Sequence, residues 1–177
     1  MAKILAFAGS NSSTSINFEL VKYTVSLLEG HKTQLLNMSH FPFPMYSEDY
    51  EKENGYSNSL VELKDDIAKS DGLIISVNEH NSNPSAYFKN LIDWLSRLDK
   101  NFLDKTPVFL LSTSGGKRGA SSSLEVTKNV LPRFGAEIAT TFSLPSYHDN
   151  FDKNKGITDA ELIKAHSTAL RTFLAKL

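Results

Sequence analysis

Residues Gly9-Ser10-Asn11-Ser12-Ser13-Thr14-Ser15-Ile16-Asn17 place seven hydroxyl or amide side chains in nine positions, directly before a helix-like pattern. Free N–H groups at a helix start, the helix dipole and several hydroxyl donors together make an anion site suited to a phosphate. A single serine would be enough to cap the helix, so the surplus of donors favours a ligand. Two further stretches carry the same kind of side chain. One is Asn78-Glu79-His80-Asn81-Ser82-Asn83-Pro84, and the other is Ser112-Thr113-Ser114-Gly115-Gly116-Lys117-Arg118-Gly119. Both are rich in small donors and carry few charges. That composition suits edge-on hydrogen bonding to a flat polar ring better than acid–base chemistry. Gly115 and Gly116 let backbone amides approach a ligand closely, or simply make a flexible turn.

Other chemistries are excluded or disfavoured. No cysteine is present, which removes disulfides, thiol nucleophiles, Cys-ligated zinc and iron–sulfur clusters. The first loop fits neither G-x-x-x-x-G-K-[ST] nor G-x-G-x-x-G, and no G-x-S-x-G elbow occurs. The histidines at 31, 40, 80, 148 and 166 show no H-x-x-x-H or H-x-H spacing. His80 alone falls in a candidate loop, where it either stacks on a ring or lends a proton, or stands in water at the tip. Asp93 and Trp94 read as a helix-surface acid and a packing aromatic. The 19 Lys and Arg against 20 Asp and Glu leave a formal charge of −1, which rules out nucleic-acid binding by bulk positive charge. No apolar run approaches the ~20 residues of a membrane span, and the run at 4–8 is too short for a signal peptide. A cytoplasmic protein of one domain, residues 1–177, is expected.

The elements that must position these loops are legible. Apolar runs at 4–8, 33–38, 73–77, 108–112 and 138–142 read as strands. The first, third and fourth are nearly continuous, as in strands buried on both faces of a parallel sheet. Between and after them lie helical patterns at 16–29, 60–69, 83–98, 121–131 and 159–176. Ser15, Ser59, Asn83-Pro84, Ser121–Ser123 and Thr158 are their expected openings. Strict alternation implies a doubly wound three-layer sandwich, whose ligands bind outside the carboxyl ends of the strands. Residues 39–57, with Pro42, Pro44 and the acidic residues Glu48, Asp49, Glu51 and Glu53, form the longest stretch without an assigned element. Loops of that length are usually functional or a contact surface.

The chain resembles the NADPH-dependent FMN reductase family, flavodoxin-like enzymes that include quinone, chromate and azo-dye reductases. The family's first loop, G-S-x-R-x-x-S-x-N, aligns without gaps on residues 9–17. Its second signature, P-E-Y-N-x-S-x-P followed by L-K-N-A-I-D-W, resembles residues 78–84, which are one position shorter, and Phe88-Lys89-Asn90-Leu91-Ile92-Asp93-Trp94. Phe41-Pro42-Phe43-Pro44-Met45-Tyr46 resembles its proline-containing loop. Ser12 stands where the family often has Arg, Asn78 where it has Pro, and His80 where it has Tyr. A cation and an aromatic flavin contact of the family are therefore missing.

The resemblance implies a flavodoxin-like α/β sandwich, with a five-stranded parallel sheet in the order 2-1-3-4-5, binding FMN. It also implies a hydride passed from NAD(P)H to flavin N5, and electrons passed on to a small acceptor: a quinone, azo compound, metal oxyanion or free flavin. The expected cofactor contacts are Ser10, Ser12, Ser15, Ile16 and Asn17 for the phosphate, Asn78, Glu79, His80 and Asn81 along the ring edge, and Ser114, Gly115 and Gly116 at the far edge. Lys117 and Arg118 stand ready for a 2′-phosphate or are a solvated loop face. No residue is expected as acid or base, and none as a metal ligand. The alternatives are an electron carrier that docks on proteins, for which −1 is too little charge, or a flavin-binding sensor without turnover. On the 83–98 helix, Phe88, Ile92 and Leu95 form a stripe for the sheet. Tyr87, Leu91, Trp94 and Leu98 form a second stripe. A stripe this broad is covered twice, which predicts a homodimer or tetramer unless the 39–57 segment covers it instead.

Overall fold

The computed structural model describes residues 1–177. Five parallel strands form the main sheet: β1 (Lys3–Ala8), β2 (Lys32–Leu36), β3 (Gly72–Val77), β4 (Pro107–Thr113) and β5 (Glu137–Leu144). Counting those strands alone, their order is β2-β1-β3-β4-β5, as expected. β1, β3 and β4 are buried along almost their whole length. Their alternating side chains feed two cores. Leu5, Phe7, Leu73, Ile75, Val108 and Leu110 point one way, and Ile4, Ala6, Ile74, Phe109 and Leu111 the other. β2 is an exposed edge, and its weaker apolar run reflects that.

Helices α1 (Ile16–Ser26) and α7 (Ala160–Leu174) cover the second core. Helices α3 (Asn58–Ala68), α4 (Ala86–Leu98) and α5 (Ser121–Val130) cover the first. Several openings shift from their expected places. Ser57, not Ser59, caps α3, because its hydroxyl accepts from Leu60 N–H. Asp159, not Thr158, caps α7. Ser85 caps α4, while Asn83 and Pro84 pair with Glu79 and His80 in a two-stranded hairpin. Its central residues Asn81 and Ser82 have φ of 52° and 62°, the two positive values that a two-residue hairpin turn of type I′ requires. No helix is long and apolar enough to cross a membrane.

The 39–57 segment is not irregular throughout. It holds α2 (Glu48–Asn54), capped by Ser47. Phe43 stacks on Tyr87, while Tyr46, Tyr50 and Tyr56 meet Trp94 edge-on. Trp94 Nε1 donates to Pro44 O at 2.8 Å, and Tyr87 Oη donates to Phe41 O at 2.9 Å. One carboxylate fastens the cover: Glu51 accepts from Tyr56 Oη, Tyr46 Oη and Arg97 Nε at 2.7, 2.9 and 3.1 Å. The hydrogen bonds from Tyr56 and Tyr46 hold Glu51 below its ordinary pKa. Leu91 and Trp94 are thus 1% and 3% exposed within the single chain. The second stripe is covered by the chain's own segment, so its breadth does not call for a second copy. A charge at position 94 would fall in the core, not at a subunit boundary.

His166 of α7 is 1% exposed among the rings of Tyr23, Phe109 and Phe142. Its one side-chain partner is Thr24 Oγ1 at 2.9 Å, which itself donates to Leu20 O. Burial pushes its pKa down to about 4. The unfolded chain, with histidine near 6.5, therefore takes up this proton first. The stability that His166 provides is full above pH 6.5 and is lost as pH falls from there towards 4, by up to about 3 kcal/mol. Denaturant unfolding of wild type and His166→Phe between pH 7 and 4 checks this. The wild type is expected to lose stability more steeply.

Candidate functional site

All three candidate loops leave the carboxyl ends of β1, β3 and β4, side by side at the centre of the sheet. Close packing and a few buried hydrogen bonds fix them to one another. Gly9 N–H donates to Ser76 O at 2.8 Å, and Ser85 Oγ donates to Gly9 O at 2.9 Å. Gly9 is required by space: a Cβ there would run into the ring of Phe88. The β1 loop is thereby pressed against the start of α4.

Asn17 is 2% exposed, and both the oxygen and the nitrogen of its amide are engaged. Its Oδ1 accepts from Ser76 Oγ at 2.8 Å and from Thr113 N–H at 3.0 Å, and its Nδ2 donates to Thr113 O at 3.1 Å. The side chain that was expected at the phosphate instead ties α1 to β3 and β4. What residue 17 can offer an anion is its backbone N–H. The N–H groups of Ile16 and Asn17 lie in the first turn of α1, where no intrahelical acceptor exists. Ser15 caps this turn by accepting from Phe18 N–H at 3.2 Å, so its own hydroxyl proton remains to be donated. Ser10 Oγ accepts from Ser12 N–H, and Ser12 Oγ lies 3.3 Å from Thr14 Oγ1. The nearest carboxylate along the helix, Glu19, is neutralised by Lys22 at 2.7 Å. The donor set of this loop fits a phosphate monoester held by a helix start and hydroxyls, without the arginine of the family pattern.

On the β3 side, Glu79 Oε2 accepts from Ser123 N–H at 2.9 Å, and Ser123 Oγ donates to Asn78 O at 2.8 Å. Glu79 therefore does the capping work that α5 lacks from its own sequence, since its N-cap residue is Ala120 at φ 63°. Its carboxylate braces the hairpin against α5 instead of lying free along a ring. Asn78 Nδ2 and His80 Nε2 are 3.2 Å apart, which makes the two departures from the family pattern a bonded pair. His80 and Asn81 are exposed at the hairpin tip.

On the β4 side, Gly115 and Gly116 are exposed, and a Cβ on Gly116 would meet only Ser114 Oγ, at 3.7 Å. Lys117 and Arg118 are exposed beside them. A short helix not foreseen from the sequence, α6 (Tyr147–Asn150), docks on this turn. Ser146 N–H donates to Gly116 O, and Tyr147 N–H donates to Ser114 O, at 2.9 and 3.0 Å. The ring of His148 lies 3.6 Å from where a Gly115 Cβ would be. Tyr147 is buried with an unpartnered hydroxyl, and burial, with Glu19 nearby, pushes its pKa up to about 12. Ser76, Ser85 and Tyr147 are supporting residues that sequence reasoning missed, and of these only Ser85, a serine just before an apolar run, carried a visible signal. Thr113 and Ser123, which the sequence placed in the third loop and at a helix opening, support the site through hydrogen bonds that the sequence did not show.

A helix start prepared for phosphate, with two donor-rich loops beside it at the centre of a doubly wound sheet, defines a nucleotide-binding α/β protein. The sequence matches the family described as NADPH-dependent FMN reductase over residues 2–149. The chain belongs to that family: it is an NAD(P)H-dependent flavin oxidoreductase with FMN as its cofactor. It is similar to an NADPH:quinone oxidoreductase of Arabidopsis thaliana, 28% identical over 126 residues that cover 69% of this chain and 63% of the relative. A quinone reductase of Escherichia coli K12 is 35% identical over 78 residues, 44% of this chain and 42% of the relative. The aligned stretches thus span less than two thirds of those relatives' own lengths. Among solved structures, the flavoenzyme NAD(P)H:(acceptor) oxidoreductase FerB from Paracoccus denitrificans superposes with a TM-score of 0.80 at 26% identity, covering 99% of this chain and 96% of that one.

The Asn17 clamp separates support from ligand contact. Asn17→Ala leaves Ser76 Oγ and Thr113 N–H buried without an acceptor, at about 1–3 kcal/mol each. Denaturant unfolding should read a loss of about 2–6 kcal/mol whether or not flavin is present. A variant of unchanged stability would show that the amide does not hold the loops together.

Proposed function

We propose that FMN lies across the three loops, with its phosphate at the start of α1. The hydroxyls of Ser10, Ser12 and Ser15 and the N–H groups of Ile16 and Asn17 receive the phosphate. Asn78, His80 and Asn81 border one edge of the ring with Glu79 bracing them, and Ser114, Gly115 and Gly116 border the other. The observation that carries this reading is the Ser15 cap, whose hydroxyl still has its proton to give at a helix start lined with further hydroxyls. FMN, when bound, supplies the redox chemistry: it takes a hydride from NAD(P)H at N5 and passes electrons to a small acceptor. The chain's own task is to bind and orient. Fixed donors meet the phosphate and the ring edge, and no side chain is given the role of acid or base. Lys117 and Arg118, exposed beside the Ser114–Gly116 turn, are placed to meet a 2′-phosphate of the nicotinamide donor.

The acceptor class in this reading is a quinone, azo compound, metal oxyanion or free flavin. The names of the relatives favour a quinone among these. Residues 1–177 act as one FMN-binding domain in the cytoplasm. Assembly as a homodimer or tetramer is part of the same reading. It is supported by the family resemblance and by Met45, 69% exposed on the 39–57 segment, and no longer by the stripe on α4.

The decisive experiment is reconstitution with FMN, flavin extraction and an NAD(P)H oxidation assay on the purified chain. Recovery of FAD, or of no flavin at saturating FMN, would sink the reading. Ser15→Ala should weaken FMN by roughly 1–3 kcal/mol, the worth of a hydrogen bond to a charged group. Riboflavin, which lacks the phosphate, should be nearly indifferent to the change. Equal losses for both flavins would move the phosphate away from this loop.

A further inference from the structure

A recess of about 90 Å3 opens between α2, the start of α3 and α4. Three aromatic rings line it: Phe43, Tyr50 and Trp94. Tyr50 stands at 80° to Trp94 with ring centroids 5.9 Å apart, so the two rings meet like adjoining walls of a box. Tyr50 is 39% exposed and Phe43 is half-buried, which leaves both rings within reach of a solute. Trp94, 3% exposed, closes the inner end. Leu60 and Pro44 complete the apolar lining. The polar lining residues Asn54 and Ser57 are neutral, and no lysine or arginine takes part. The surroundings are acidic. Of the carboxylates on α2, Glu48 is paired with Lys52 at 2.8 Å and Glu51 with Arg97 at 3.1 Å, which leaves Asp49 and Glu53 without a cation. α2 also ends here. Asn54 and the C-cap Gly55 both line the recess, and the last carbonyls of a helix carry partial negative charge.

We propose that this recess binds the trimethylammonium head of a small cation such as choline. Size, charge and lining each support that class. A cavity of about 150 Å3 admits benzene, so about 90 Å3 takes a compact head group and not a ring. Acidic surroundings, with no cation in the lining, favour a positive group over a neutral or negative one. The aromatic walls then choose among cations. A quaternary ammonium has no N–H to satisfy, spreads its charge over its methyl groups and is attracted to ring faces. A primary ammonium needs acceptors for three donors, and a metal ion needs a shell of oxygens. Most of this lining is aromatic, leucine or proline and supplies neither. The recess shares no residue with those assigned to FMN. Binding here is separate from the flavin reading and is tested without reference to turnover.

Choline and, separately, its neutral isostere 3,3-dimethylbutan-1-ol are titrated into the full-length protein at saturating FMN. The readout is the NMR resonance of the Trp94 indole N–H, which belongs to the one tryptophan of the chain. Choline is expected to shift it saturably, and the isostere to bind about tenfold more weakly, because it has the shape without the charge. Tyr50→Leu keeps an apolar wall and removes the ring. It should weaken choline about fivefold and leave the isostere unchanged. Tyr50→Phe, which keeps the ring, should bind choline as the wild type does. Asn54→Lys sets a cation at the rim and should weaken choline alone. Four outcomes would each overturn the proposal. These are no saturable shift at tens of millimolar choline, equal binding of choline and its isostere, Tyr50→Leu binding choline like wild type, or Tyr50→Phe losing as much as Tyr50→Leu.

Discussion

The amide of Asn17 is the interaction on which the site's construction depends. It is nearly inaccessible and uses both of its atoms to tie the first turn of α1 to β3 and β4. An asparagine suits this place because it accepts on one atom and donates from another, whereas an ionised aspartate only accepts and a serine has a single oxygen for both tasks. With β3 and β4 joined in this way, the helix start cannot slide relative to the strand ends. Its first-turn N–H groups then point at a fixed place instead of a moving one. The same bonds take the side chain away from any ligand, so rigidity of the anion site is obtained by withdrawing one of its donors.

The neighbouring loops repeat this economy. Glu79 is spent on capping α5, Ser85 on the Gly9 carbonyl, and the Ser114–Gly116 turn on the backbone of α6. Each bond crosses from one loop to the next element, and several are at least part-buried. A ligand that meets such a surface finds its donors already oriented. The ordering cost of binding is therefore borne by folding. What remains open to a ligand is short and small: the Ser15 proton, the exposed and mutually bonded hydroxyls of Ser12 and Thr14, the hairpin tip, and two glycines. These groups suit a cofactor that brings its own reactivity and needs from the protein only a fixed position.

The sheet was legible in the sequence because β1, β3 and β4 are buried on both faces and must be apolar at nearly every position. The order of strands and the three ligand loops followed from alternation and from the resemblance. What escaped was decided by contacts between distant residues. α2 packs by Tyr50 against Trp94 and by Glu51 against Arg97, 46 positions away, and its acidic sequence shows neither contact. Asn83-Pro84 reads as a helix opening, yet Asn81 and Ser82 accept positive φ and turn it into a hairpin strand. Asn17 and Glu79 look like ligand contacts in a string of polar residues. Only the positions of Thr113, Ser76 and Ser123 reveal that they hold the frame.

The departures from the family pattern follow the same logic. Asn78 and His80 replace a proline and a tyrosine, and in space they are one unit, the amide lying 3.2 Å from the ring nitrogen. Neither substitution alone accounts for the other. A proline at 78 has no side-chain donor for a histidine, and a tyrosine at 80 offers no ring nitrogen to an amide. The Asn78 backbone carbonyl meanwhile accepts from Ser123 Oγ, so the residue at the root of the hairpin is held from both ends. The loop that loses an aromatic contact in this exchange thus gains a bonded polar pair beside its exposed tip. Because that tip is a two-residue turn with positive φ at Asn81 and Ser82, the position of the pair is set by the backbone rather than by the ligand.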